Sequence, residues 1–309
     1  MNSVPDRALI EEVALEKGIN PAFVEKDWYV TQIIRLVAAF KFEDFRMIFT
    51  GGTALSKAHG LLERFSEDID FRVIGPTLEG LNNSQLKKKL SELKHKVFAH
   101  IAGDFPITEE NLTARNGNRF FAIELDYPTV FDRSLSLRPH VLIEFTVTTL
   151  ALPAIALPVS SFIAALAKNE PEVKVVDCID PVENAADKLS ALVWRIPDRI
   201  RDEADDDPAI VRHIHDLSIL SDYAIAHKEF RRLAIEMINQ DDQRSKKIAG
   251  LSIEEKFAQM IEIMEREKEY FDEYDTFVKG MSYAAGAKVP SFAEALAKVK
   301  LLIRHVLDK

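Results

Sequence analysis

The sequence predicts an α+β protein, in which a mixed αβ domain built on a small mixed sheet is followed by a helical C-terminal domain. Three observations carry this reading. Segments rich in β-formers recur between residues 45 and 179, with helical patterns among them. One of those segments ends on Gly51-Gly52 and runs directly into a short helix. Beyond Asp180 every apolar pattern has helical spacing. The domains are therefore drawn as 1–180 and 181–309.

In chain order, residues 6–16 and 21–40 are expected to be helices, the second opened by Asn20 as cap and Pro21 at its first position. Within it Lys26 and Asp27, with Tyr29 close by, read either as a surface pair or as part of a ligand wall. Phe45 to Thr50 is a buried strand, Ala54 to Leu62 a short helix, and the next strand carries Asp68 and Asp70. Asn83 to Ile101 is a long helix with Leu86, Leu90, Leu93, Val97 and Ile101 on one face. Arg119–Tyr127 and Arg138–Thr149 read as strands antiparallel to each other. Residues 150–158 are rich in Pro and Ala, 162–168 a short helix, and 173–179 a last strand. Asp180-Pro181-Val182-Glu183 then gives a strong helix-start signal. Capping boxes at Ser252/Glu255 and Ser291/Glu294 open helices at 253–273 and 292–307, and the acidic run Asp202 to Pro208 is expected to be a mobile loop.

Bulk properties narrow the function. A chain of 309 residues with 47% hydrophobic and 29% charged residues has the composition of a soluble globular protein. No apolar run is long enough to cross a bilayer, and the N-terminal stretch lacks a secretory pattern. The single cysteine, Cys178, allows no internal disulfide, so a cytoplasmic location is expected. A net charge of −10 argues against a protein coated in nucleic acid. It leaves room for local basic clusters at Lys87, Lys88, Lys89, Lys94 and Lys96, at Arg231 and Arg232, and at Lys246 and Lys247, each of which reads first as a solvated helix face.

The chemistry concentrates in residues 48–73. Gly51 and Gly52 lack side chains, so their amides can approach a phosphate; Thr53 adds a hydroxyl, and the helix that follows offers free N–H groups. Lys57 is a further phosphate candidate or an exposed helix residue, and Ser66 is placed to bond a phosphate or cap a turn. Asp68 and Asp70, two apart on a strand, leave the same face, and paired hard oxygen ligands suit Mg²⁺ or Mn²⁺. Nucleotidyl transfer with two metals calls for a third carboxylate on a neighbouring strand. Glu144 is chosen because it interrupts an apolar strand; Glu124 and Asp126 are its rivals, and Asp177 is a weaker one. Lys188, on one helix face with Asn184 and Arg195, either neutralises a triphosphate or pairs with a neighbouring acid. His213 and His215, two apart on a helix, diverge and do not read as a zinc site.

Taken together, G-G-T-A-L-S-K, R-F-S-E-D-I-D-F, I-E-F, E-N-A-A-D-K-L-S-A-L and R-H-I-H-D-L resemble the AbiEii family, the nucleotidyltransferase toxins of type IV toxin–antitoxin systems, related to the MenT toxins. The likeness runs from about residue 10 to residue 225, and V-E-K-D-W-Y-V-T also resembles the family's N-terminal helix. It implies a DNA polymerase β-like nucleotidyltransferase domain followed by a helical domain, and a metal-dependent transfer of NMP from NTP. The implied acceptor is an RNA, with the acceptor end of tRNA foremost, or a protein; a cognate antitoxin is an implied partner. Gly51, Gly52 and Thr53 would hold phosphate, Ser66 and Asp68 fall on the catalytic S-x-D, and Asp70 completes the metal pair. Lys188 matches the family's nucleotide-contacting lysine and Asp216 the aspartate of its last motif. One departure is His213, where the family often carries aspartate, which bears on metal or nucleotide preference. Two other readings stand beside this one: a nucleotidyltransferase acting on a small molecule such as an antibiotic, and a nucleotide-binding protein without turnover.

Overall fold

The protein is described by a computed structural model covering residues 4–43, 45–75, 80–132, 137–203, 206–279 and 289–308. Its backbone packs as two units. The first holds the described residues up to Gly60 together with Phe65–Ile179; the second holds Leu61–Arg64 together with the described residues from Asp180 onward.

The first unit begins with α1 (Arg7–Lys17) and α2 (Pro21–Ala39). Asp6 accepts from the Leu9 N–H at the start of α1, and Asn20 accepts from Ala22 at the start of α2. Among the described residues seven strands form one mixed sheet: β1 (Arg46–Thr50), β2 (Ile69–Ile74), β3 (Leu112–Arg115), β4 (Phe120–Asp126), β5 (His140–Val147), β6 (Ile155–Val159) and β7 (Val173–Cys178). The spatial order is β3-β4-β5-β2-β1-β7-β6. β2 pairs antiparallel to β1 and parallel to β5, and β4 and β5 are antiparallel. α3 (Gly51–Thr53) follows β1 directly, α4 (Asn83–Ala102) follows β2, and α5 (Phe162–Leu166) lies between β6 and β7.

Register fixes what each face of the sheet carries. Phe49 is opposite Phe71, Phe71 opposite Phe145, and Phe145 opposite Phe121. Their rings pack in a row with centroids 5.4, 5.8 and 4.6 Å apart. All four are buried, and they share one hydrophobic core with Val24, Trp28 and Ile33 of α2 and Leu90, Leu93 and Val97 of α4. Burying each such ring is worth about 1.5–3 kcal/mol. The next register row, Thr50, Asp70, Glu144 and Ala122, points the other way by the two-residue period of a strand.

Several expectations need correction. The sheet is larger than the small one expected, because β3 and β6 were not read as strands. β3 is short and largely exposed, so it shows no apolar alternation. β6 contains Pro158, and its register shifts between Leu157 and Val159; an edge strand with a bulge is where a residue lacking an N–H fits. The helix expected over 54–62 starts earlier, at Gly51, and its chain widens over Ala54–Ala58, closed by the His59 N–H on the Ala54 carbonyl at 3.0 Å. Asp68 lies just before β2 rather than in it.

The second unit is helical over its described residues: α6 (Pro181–Asp198), α7 (Val211–Ala226), α8 (Phe230–Gln240), α9 (Ile253–Arg266), α10 (Glu269–Phe277) and α11 (Phe292–Leu307). Asp180 caps α6, and both capping boxes form at α9 and α11. The helix expected over 253–273 is two, broken at Glu267–Lys268. The acidic run is also tied down at its end. Asp206 pairs with Arg199 at 2.6 Å and Asp207 with Arg195 at 2.6 Å, while Arg199 also reaches Glu273.

Candidate active site

The site starts from the turn at Gly51. Its φ of +76° belongs to the left-handed region that favours glycine, and a Cβ there would lie 2.0 Å from Asp70 Oδ2. Backbone and carboxylate thus approach more closely than any other residue at 51 permits. Thr53, fully buried, donates its hydroxyl to the Asp68 carbonyl and ties the helix start to the stretch leading into β2.

Asp70 and Glu144 are direct partners across β2 and β5, on strands spaced about 4.8 Å apart. Both are half-buried. Glu144 therefore stands next to Asp70 on the same face of the sheet. The rivals stand elsewhere: Glu124 is opposite Leu142, exposed, and 2.9 Å from His140 Nδ1, and Asp126 is exposed opposite His140. Asp177 pairs with Arg46 at 2.7 Å.

Asp68 is engaged. Arg138 Nη1 donates to its Oδ1 at 2.9 Å. The neighbouring Glu67 carboxylate, buried, accepts from Lys26 Nζ at 2.5 Å and from the Arg138 N–H at 2.9 Å, and Lys26 donates to the Arg138 carbonyl at 2.9 Å. Burial pushes the Lys26 ammonium below its ordinary range, against the opposing pull of Glu67. Ser66 is buried in the same stretch.

Lys57 is engaged by its neighbours. Its ammonium is ion-paired with Asp27, is nearly buried, and lies over the Phe162 ring. Asp27 also accepts from the Phe162 N–H at 2.7 Å; burial pushes its carboxyl up, with Lys57 and that N–H pulling it down. Lys26 and Asp27, adjacent in sequence, are therefore anchors of two separate buried ion pairs. They form neither a surface pair nor a ligand wall.

Within the helical unit, Asp216 is fully buried and receives Arg64 on both oxygens, at 2.8 and 2.7 Å. Lys188 Nζ is 2.9 Å from its Oδ2 and His215 Nδ1 3.2 Å from its Oδ1. Burial pushes the Asp216 carboxyl up, but Arg64 and Lys188 outweigh it and hold the group well below the usual carboxylate range. His213 has its Nδ1 shielded from solvent without a hydrogen-bond partner among the described residues. Burial first, and then Lys188 and Arg195, push its imidazole well below the ordinary histidine value.

Sequence reasoning missed Arg138, Glu67 and Arg64. Glu67 and Arg64 sit inside the R-F-S-E-D-I-D-F block, and a charged residue in a stretch that must enter a buried strand was the available signal. Arg138, outside any motif, had none.

The donor set Asp68, Asp70 and Glu144 consists of hard oxygens suited to Mg²⁺ or Mn²⁺. Two of the three are register partners, and the lack of a Cβ at Gly51 lets the Asp70 carboxylate lie against the glycine turn, so the residues fit such a cation. Among the described residues no group of three or more His, Cys, Asp or Glu side chains is drawn together tightly enough to hold a metal as it stands. The Asp68 pairing with Arg138 is consistent with that.

Comparison with known proteins defines the class. A profile of nucleotidyl transferase AbiEii toxins of type IV toxin–antitoxin systems matches residues 34–298, so the protein is a nucleotidyltransferase of toxin type. The chain belongs to the AbiEii family. Its fold is similar to that of MenT4, a nucleotidyltransferase toxin of Mycobacterium tuberculosis, with a TM-score of 0.59 and 18% identity over 99% of this chain and 90% of that one. A search of curated proteins returns no match. No helix among the described residues is long and apolar enough to cross a membrane.

Proposed function

We propose that the enzyme transfers an NMP from an NTP to an RNA, with the acceptor end of tRNA as the favoured acceptor, in a reaction that requires Mg²⁺ or Mn²⁺. The observation that carries this is the adjacency of Asp70 and Glu144 in register, with the Asp70 carboxylate lying against the Gly51 turn in the space a Cβ there would need. In this reading the first unit has the DNA polymerase β-like role.

Asp68, Asp70 and Glu144 would hold the cation, which supplies charge stabilisation at the α-phosphate and at the leaving oxygen. The turn Gly51–Thr53, where two residues lack side chains, would bind the phosphates. Glu144 accepts the proton as the acceptor oxygen bonds to the α-phosphorus; the bond to the bridging oxygen breaks and pyrophosphate leaves. Within the helical unit Asp216 orients Lys188. The family's toxin role adds a cognate antitoxin as partner and the cytoplasm as the site of action.

The test is incubation with each α-labelled NTP, Mg²⁺ and total RNA, followed by gel analysis. Label is expected on tRNA with the wild type and to be absent with Asp68→Ala, whose circular dichroism stays native. Undiminished incorporation by that variant overturns the assignment, and label appearing only on a panel of antibiotics replaces RNA with a small-molecule acceptor.

A further inference from the structure

In a chain of net charge −10, α4 carries five lysines and a single carboxylate, Glu92. Its apolar stripe, from Leu86 to Ile101, is spent on the core. Lys87 and Lys94 are seven residues apart, so they share one flank of that stripe, two turns or about 10.5 Å from each other. Lys89 lies on the opposite flank and pairs with Glu43. Lys87 and Lys88 are exposed and Lys94 half-buried, and none of the three has a carboxylate partner among the described residues. Beside the start of this helix lies the turn between β3 and β4, where Asn118 Nδ2 donates to the Lys87 carbonyl at 3.4 Å. Asn116, Gly117 and Asn118 take φ of 54°, 62° and 68°, a left-handed run that Asn and Gly tolerate and that makes the turn tight. Arg115 and Arg119 bracket it, both exposed and without a carboxylate partner among the described residues; Arg115 lies over the Phe120 ring at 5.9 Å.

We propose that Arg119, Arg115, Lys87, Lys88 and Lys94 form a track for the phosphate backbone of the RNA acceptor, which holds the RNA while its end reaches the acids. The proposal rests on the RNA reading given above. The track begins near Glu144: the Arg119 carbonyl accepts from the Val147 N–H at 2.8 Å, and Val147 is three residues beyond Glu144, about 10 Å along β5. From there it passes over the β3–β4 turn and along one flank of α4, whose stripe packs on the aromatic side of the sheet. A nucleotide or a small acceptor has no use for cations strung outward over such a length. An extended polyanion does, because each phosphate it sets on a lysine or arginine releases a bound counterion, and the acidic remainder of the surface repels it. Contacts of this kind fix position and carry no base sequence.

The test uses the full-length protein and tRNA carrying a 5′ fluorophore, with binding read by anisotropy between about 50 and 200 mM KCl. The triple variant Lys87→Gln/Lys94→Gln/Arg119→Gln is expected to bind about tenfold more weakly at the lowest salt, and its log K should fall with log salt less steeply, by about 2–3 in slope. In labelled transfer its KM for tRNA rises, while kcat and the KM for NTP stay at wild-type values. A variant with the same charge change elsewhere, Lys174→Gln/Lys246→Gln/Lys268→Gln, removes three other exposed lysines and should match the wild type in slope and in KM. A wild type that labels tRNA, with the two triple variants alike in slope and KM, overturns the track and leaves the RNA reading standing. A fall in kcat with tRNA affinity unchanged overturns it too, since the cations would then serve the fold. A wild type that labels an antibiotic and not tRNA overturns the RNA reading itself.

Discussion

Asp70 occupies the space that a side chain at Gly51 would need: Oδ2 lies 2.0 Å from where that Cβ would be. Gly51→Ala therefore combines a positive φ with a direct collision. It is expected to cost about 1–3 kcal/mol in urea denaturation and to abolish labelled transfer. Gly250→Ala is the control, since its φ is +80° with nothing within 4 Å of the added Cβ. It should cost about 1–2 kcal/mol from the left-handed backbone alone and leave transfer intact. Equal activity losses in the two variants would show that the Gly51–Asp70 approach is not needed.

Glu144→Gln and Glu124→Gln separate the two carboxylates that the sequence left competing. Glu144 is the register partner of Asp70 and Glu124 is an exposed partner of His140. Initial rates with saturating NTP should fall about 10²-fold or more for the first and stay within about twofold for the second.

Lys57→Met tests whether this lysine holds the fold or the nucleotide. Removing it leaves Asp27 buried with its charge uncompensated, which should cost about 3–5 kcal/mol. Adding Asp27→Asn, which still accepts from the Phe162 N–H, should recover part of that loss. Nucleotide affinity of the folded double variant is expected to match the wild type; a loss of affinity there would make Lys57 a phosphate ligand.

Asp216 ties stability to acid pH. Its folded pKa is well below its unfolded value, so its contribution is complete above about pH 4 and is lost as pH falls toward the folded value. Asp216→Asn leaves Arg64 and Lys188 buried without their carboxylate and should cost about 3–5 kcal/mol at pH 7. Its stability should then change less than the wild type's below pH 4, as read by denaturant titration at each pH.

His213 adds a second, milder range. Its folded pKa is depressed, so the unfolded chain binds the proton first and stability falls as pH drops below about 6.5. His213→Gln should remove that slope between about pH 6.5 and 5 while keeping the one below pH 4. A slope unchanged by the substitution would place its origin in another group.

What the sequence made legible follows local physics. Caps at Asn20, Asp180, Ser252 and Ser291 declare themselves within four residues, and all form. The alternation around Asp70 and Glu144 announced two strands with acids among apolar residues, although which acid faced Asp70 depended on register, which is not local. β6 hid behind Pro158, and β3 lacked an apolar face. The burial of Lys26 and Asp27 was hidden for one reason: a charged residue in a helix reads as solvated, and only its partner, 30 or more residues away, shows it to be buried. Arg64 and Asp216, 152 residues apart, were beyond any spacing argument.

The row Phe49, Phe71, Phe145 and Phe121 sits one residue from the row that carries Asp70 and Glu144. A one-residue slip of β2 or β5 would take a ring out of the hydrophobic interior and drive an acid into it. Misalignment is therefore penalised twice, and a chain whose sheet has set has already aligned its acids. The proofreading of this candidate centre is done during folding, by the packing of aromatic rings on the opposite face of the sheet.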